Sequence, residues 1–443
     1  MQNYVSKLFN SWANSLVLFS QRHGRQGWLT FLFILTLTII VGFPSIGNSQ
    51  KAIDFNTHKL ADTKIAQTNT ECSIKDISRE LRGVWLTNID SDVLFSSKNL
   101  NEAIYSLADL KFNTLYPTVW NWGYTLYPSA VAKAVVGKEI DPTEGLQGRD
   151  ILTEIIKQGH KSQMAVIPWF EFGFMAPADS QLAQRHPDWL TTRQDGSTIW
   201  WEGKTHQRVW LNPMRPEVQQ FITDLIVEIV SNYDVDGIQL DDHFGFPSDF
   251  GYDEFTVQLY KQEHDGKSPP DDPKESEWIQ WRADKITAYV EQLFHAIKEA
   301  NQSAIVSLSP NPYNFSLKSF LLDWQKWQQK GLVEELIVQV YRHQHDSFVQ
   351  ELNQPAIKEA QKHIPVGIGI LSGLKDRPVP ASRIQQQVHA TRERNLAGVS
   401  FFFYESLWNL ATESPLNRQY RLQFLFQEPA KRPDLENVAI SCS

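Results

Sequence analysis

From residue 80 onward the sequence alternates between short runs that read as strands and longer stretches with helical periodicity. Strand-like runs fall at Gly83–Thr87, Thr114–Trp120, Gln163–Phe170, Gly237–Asp241, Ala304–Ser309, Leu336–Tyr341, Val366–Leu371 and Gly398–Tyr404. Helix-like stretches separate them near Leu100–Lys111, Arg149–Lys161, Pro216–Asn232, Glu275–Ala300, Leu317–Lys330, Gln350–Lys362 and Ser382–Asn395, with a last one near Leu416–Phe426. Eight strands in alternation with helices predict an α/β chain folded as a (β/α)8 TIM barrel with extended βα loops. A doubly wound sheet is the alternative, but no GxGxxG follows the first strand.

The strand phases add to this. Successive side chains of a strand point to opposite faces. Ile238 and Leu240 form one face of their strand, leaving Gln239 and Asp241 on the other. Val306 and Leu308 alternate with Ser307, Ser309 and Asn311, and Val338 and Val340 with Gln339 and Tyr341. Thr114, Tyr116, Thr118 and Trp120 share a phase, as do Ser400, Phe402 and Tyr404. Positions facing the helix layer should be aliphatic, so the polar phases are assigned to the barrel axis. An axis with polar groups toward the strand C-termini has its active-site mouth there.

The N-terminal part is of another kind. Trp28–Phe43 is apolar and uncharged, follows Lys7, Arg22 and Arg25, and is broken by Pro44. It reads as a secretory signal peptide or an N-terminal membrane anchor, on the short side for a spanning helix. The expected organisation is residues 1–49 as signal or anchor, 50–79 as linker, 80–430 as barrel and 431–443 as C-terminal tail. The chain is expected to be exported to the periplasm or cell envelope, touching membrane only through the N-terminal segment. A net charge of −9 argues against binding nucleic acid through charge. The two cysteines, Cys72 and Cys442, exclude a disulfide scaffold and a four-cysteine zinc site. They lie before the first strand and after the last helix. A closed barrel brings its ends together, so a Cys72–Cys442 disulfide is expected in an oxidising compartment.

The densest chemical signal is Asp234-Val235-Asp236-Gly237-Ile238-Gln239-Leu240-Asp241-Asp242-His243, ending the fourth strand. Asp241 points to the axis by phase, and Asp242 joins it if the backbone turns. Asp234 and Asp236 sit at the opposite end and are read as structural. Glu171 and Glu405 follow the third and eighth strands. Glycoside hydrolysis needs two carboxyls, one acid and one nucleophile or base. The candidate catalytic set is therefore Asp241, Asp242, Glu171 and Glu405. Asn212, His243, Gln339 and Tyr341 are candidates to orient a sugar. The chain has 15 Trp. Aromatic rings stack on the C–H faces of sugars, and Trp85, Trp120 and Trp169 near strand C-termini are candidate sugar-binding residues. Metal chemistry is weaker: His343 and His345 could pair at zinc, and Asp249, Asp253 and Glu254 could hold calcium, but no cofactor or metal is expected.

At this point the chain resembles a known family, the glycosyl hydrolase-like family ten, formerly domain of unknown function 187. The resemblance rests on Arg82-Gly83-Val84-Trp85-Leu86, on Trp210-Leu211-Asn212-Pro213, on Asp236 to Phe244, and on Gln339-Val340-Tyr341. It covers Leu81 to Ala411. It implies a (β/α)8 protein of the bacterial envelope that hydrolyses glycosidic bonds, with peptidoglycan glycan strands among the substrates. Many members carry Tyr at the position of His243 and Asn at that of Glu171, which gives Asp241 more weight than Glu171. A chitinase-type Asp-Gly-x-Asp-x-Asp-x-Glu strand would need acids at Gln239 and His243, so that mechanism is not implied. The expected function is hydrolysis of an envelope polysaccharide; the alternative is a glycan-binding or scaffolding barrel without turnover.

Overall fold

A computed structural model of the chain describes residues 78–435. The apolar segment Trp28–Phe43, the linker and both cysteines, Cys72 and Cys442, lie outside the described residues. Among the described residues no helix is long and apolar enough to cross a membrane.

Eight parallel strand positions are present: β1 Leu81–Leu86, β2 Thr114–Pro117, β3 in two pieces at Ala165–Val166 and Trp169–Phe170, β4 Gly237–Asp241, β5 Ile305–Ser309, β6 Glu335–Gln339, β7 Val366–Leu371 and β8 Gly398–Phe402. Each pairs with its sequence neighbour, and β1 also pairs with β8. The break in β3 falls at Ile167-Pro168, where proline has no N–H for the ladder. The first piece pairs with β2 and the second with β4, so the sheet begins and ends on one stretch of chain and the barrel closes. Helices Ser97–Asp109, Ile151–Lys161, Pro216–Asn232, Ser276–Ala300, Trp324–Gln329, Ala381–Arg392 and Pro415–Leu425 follow strands on the outside. Ser96 and Asp150 cap the first two through side-chain oxygens, and Pro216 starts the third, where its missing N–H costs nothing.

The assigned phases describe the interior. Val84, Leu115, Val166, Ile238, Leu240, Val306, Leu308, Val338, Ile368 and Phe401 belong to the core between sheet and helices. A second buried cluster along the axis holds Leu81, Trp85, Tyr116, Ile167, Trp169 and Ile337. Glycine makes room for it: a Cβ at Gly369 would lie 3.2 Å from the Trp85 indole. The glycines of β7 therefore serve packing. Trp120 departs from its phase, as it packs on Phe170 and Phe221 outside the axis.

The lower end of the axis is closed by the segment after the last helix. Lys431 bridges to Arg79, and Arg432, in the segment read as a tail, reaches Glu335 and Thr114 inside the barrel.

Candidate active site

The mouth is built where β3 and β4 end. After Asp241 the chain enters one tight helical turn, Asp242–Phe244, which swings Asp242 and His243 back over the axis. After Phe170, Glu171 and Phe172 lead into Gly173, whose positive φ of 48° places it against the backbone of His243. A Cβ there would stand 2.4 Å from the His243 carbonyl oxygen, so only glycine lets the two turns touch.

Asp241, Asp242, His243 and Glu171 come together. The hydroxyl of Ser309 and the amide of Gln339 donate to Asp241 Oδ1 at 2.8 and 2.9 Å. His243 Nδ1 lies 3.1 Å from Asp241 Oδ2, 3.4 Å from Asp242 Oδ1 and 2.9 Å from the backbone oxygen of Glu171. Asn311 donates to Asp242, and Asn121 donates to Glu171 Oε2 at 2.5 Å. Three donors thus converge on Asp241, an arrangement that satisfies an acceptor-only carboxylate. Its side chain is 3% exposed, against 17% for Asp242 and 21% for His243.

Burial, together with the charge of Asp241, pushes the Glu171 carboxyl up to about 8. The same two causes hold Asp242 well above the usual carboxylate range. Burial alone would lower His243, but Asp242 and Asp241 outweigh it and raise the imidazole to about 10. Tyr341 is raised by burial and by the three carboxyls it faces. Protonated acids and one imidazolium therefore share a water-poor mouth, the environment that tunes groups for proton transfer.

Other expected residues lie elsewhere. Glu405 sits in the turn Tyr404–Leu407 on the rim, where Ser91 and Asn409 donate to it. Trp85 is not a mouth residue: it is 1% exposed within the axis, and its Nε1 donates to Gln239 Oε1 at 2.7 Å. Trp120 is fully buried with its Nε1 on the Gly173 carbonyl, and Trp169 is buried in the axis beneath Glu171. Asn212 is also fully buried; its amide donates to Asp253 and Thr256 and ties loops together. Asp236 fastens β4 to the Val166 N–H and His160. Asp249 pairs with Arg193, Asp253 caps a helix, and His343 meets Arg383, so neither weaker metal set assembles. Asp241, Asp242 and His243 form the one group among the described residues close enough to share a cation. Ser309 and Gln339 engage Asp241 Oδ1 and Asn311 engages Asp242 Oδ2, while the other two oxygens face His243.

Asn121 was not anticipated as a partner of the carboxyls, because loop contacts carry no periodic signal, whereas Asn311 continues the polar phase of Ser307 and Ser309. Among the described residues the exposed tryptophans are Trp122, at 41%, and Trp201, at 50%. Trp122 directly follows Asn121 in a turn with positive φ. Each lies within two residues of a glycine, Gly123 and Gly203, and that turn context is the sequence cue to exposure.

The fold matches that of the PgaB (BpsB) glycoside hydrolase domain from Bordetella bronchiseptica, with a TM-score of 0.52 at 10% identity, over 76% of this chain and 100% of that one. The Bacillus subtilis protein named glycosyl hydrolase YngK is 25% identical over 302 residues, 59% of this chain and 54% of its own length. The chain thus spans about half the length of that relative. Glycosyl hydrolase DigH of Escherichia coli K12 is 24% identical over 331 residues, 63% of this chain and 69% of its own. The model of the family described as glycosyl hydrolase-like 10 matches residues 80–391, and the chain belongs to that family.

Proposed function

We propose that the protein is a glycoside hydrolase of the cell envelope that cleaves a polysaccharide, with peptidoglycan glycan strands as the first substrate to test. The observation that carries this reading is the pairing of Asp241 with Glu171. They stand on different strands around one mouth, and burial beside Asp241 holds Glu171 protonated at neutral pH. Hydrolysis needs an acid on the leaving oxygen and a carboxylate for the anomeric carbon or its attacking water. Glu171 supplies the proton, and Asp241, held by Ser309 and Gln339, serves as nucleophile or base. Asp242 adjoins Asp241 on one turn, so the two cannot flank a bond from opposite sides. Trp122, exposed beside Asn121, offers a stacking face for a sugar ring. Family membership supports glycosidic chemistry, and the apolar Trp28–Phe43 segment supports export, with Cys72 and Cys442 free to pair once outside the cell.

The test is reducing-end release from purified peptide-free glycan strands. Wild type releases sugar, and Asp241→Asn releases about a thousandfold less, as expected for a group acting on the reacting centre. Full loss in Asp242→Asn with activity kept in Asp241→Asn would transfer the role to the neighbour. No release by wild type from any envelope glycan would favour a binding barrel.

A further inference from the structure

Beside the mouth, the loops after β6 and β7 bring positive groups together. Arg377, on the short hairpin Gly373–Leu374 and Arg377–Pro378, and Arg383, on the helix Ala381–Arg392, line one pocket with Tyr341, Arg342, His343 and Gln387. Asp376, next to Arg377 in the hairpin, is exposed and makes no ion pair with it, and three other nearby acids are engaged elsewhere. Glu351 pairs with Arg342, Asp90 with Lys375, and Glu413 with Arg418. Among the described residues the Arg377 side chain has no ion pair and no hydrogen bond, and its buried Nε is without a partner. Arg383 has no acidic partner; its guanidinium reaches His343 Nδ1 at 3.3 Å. The buried Oε1 of Gln387 in the same pocket is also unpartnered. Burial and the two guanidiniums hold His343 below its usual range, so its ring accepts from Arg383 as a neutral base. Burial and Arg383 likewise lower Arg377.

Two guanidiniums side by side without a counterion disfavour the folded state, and an unfilled buried donor costs more. The pocket holds about 10 Å³, room for a single oxygen, and a carboxylate that places one oxygen there relieves both. Tyr341 forms one wall of this pocket and also faces Asp241, Asp242 and Glu171, so the pocket is one side chain away from the reacting centre. We propose that Arg377 and Arg383 form a subsite for a carboxylate carried by the saccharide, which makes the substrate an acidic glycan. The inference rests on the hydrolase reading for its catalytic consequence, but not for binding. It also eases the approach of an anionic sugar to a chain of net charge −9, which a local cation offsets. Guanidinium matches carboxylate in a planar, two-point geometry.

The experiment compares peptide-free peptidoglycan glycan strands with the same strands after chemical reduction of their carboxylates to alcohols. Wild type is expected to prefer the carboxylated strands by about tenfold in kcat/KM, and the R377Q/R383Q double variant to lose that preference. R377K/R383K, which keeps the charge, is expected to retain part of it. Calorimetric binding of both strand types to each protein is measured in parallel. A carboxylate preference in binding that disappears in R377Q/R383Q upholds the subsite even when no strand is cleaved, an outcome that removes the hydrolase reading alone. Equal binding and cleavage of the two strand types by wild type, or an unchanged preference in R377Q/R383Q, overturns the subsite.

Discussion

At the floor of the barrel Glu335, 2% exposed, receives hydrogen bonds from the hydroxyls of Tyr116 and Ser307, both at 2.9 Å, and faces Arg432. At the mouth Asp241, Asp242 and Glu171 share one cation, His243. The ingredients are alike: carboxyls, a tyrosine, hydroxyl donors and a base, all withdrawn from water. The balance differs. The floor has one acid for one cation, and its burial is compensated. The mouth has three acids for one cation, and the shortfall appears as raised carboxyl pKa values. A matched network specifies structure, whereas a mismatched one stores proton-transfer capacity.

Breaking the floor should cost stability. Glu335→Gln leaves Arg432 buried without its anion, and denaturant titration should show a loss of about 3–5 kcal/mol. Asp241→Asn, made at the mouth, should change stability by less than about 1 kcal/mol, because relief of repulsion offsets lost hydrogen bonds. Equal losses at both ends would erase the distinction.

The next effect is on rate and its pH dependence. Glu171→Gln should lower kcat/KM by about a hundredfold or more, in the range for loss of a general acid. In wild type kcat/KM should fall as pH rises through about 8, where Glu171 loses its proton, and the variant should lack that limb. Stability follows the same proton. The folded-state value lies above the usual carboxyl range, so the folded protein binds the extra proton between the two values and loses stability as pH rises toward about 8. Thermal unfolding of Glu171→Gln should therefore gain on wild type from pH 5 to pH 9.

A smaller effect tests a single donor. Asn121 favours the charged form of Glu171 through its hydrogen bond, so Asn121→Ala should move the basic limb upward by about half a unit. The smallest effect is expected at the rim: Glu405→Gln should change kcat/KM by less than about threefold.

The contrast between floor and mouth was partly legible in the sequence. The alternation of Ile238 and Leu240 with Gln239 and Asp241 gives both the barrel and the inward carboxylate, because a period of two has only two faces to assign. Closure through the two pieces of β3 has no such signature, since Pro168 only marks a break. Periodicity also cannot say how far along the axis a residue lies. Trp85 and Trp169 share the inward phase of functional residues, yet they fill the layer below them. Asn212 looked like a sugar contact because it stands in a motif of the family, but its role is to tie loops. Glu405 and Glu171 both follow strand ends, and only the local turn distinguishes rim from centre. The pocket of Arg377 and Arg383 joins two segments through tertiary contact alone.

The floor network also orders events in time. Glu335 precedes its cation, Arg432, by 97 residues. Until it arrives, Glu335 has no cation and the strand pairing of Arg79 with Lys431 cannot form. Compensation of the buried floor carboxylate is thereby deferred until the segment that follows the last strand has been made and docks.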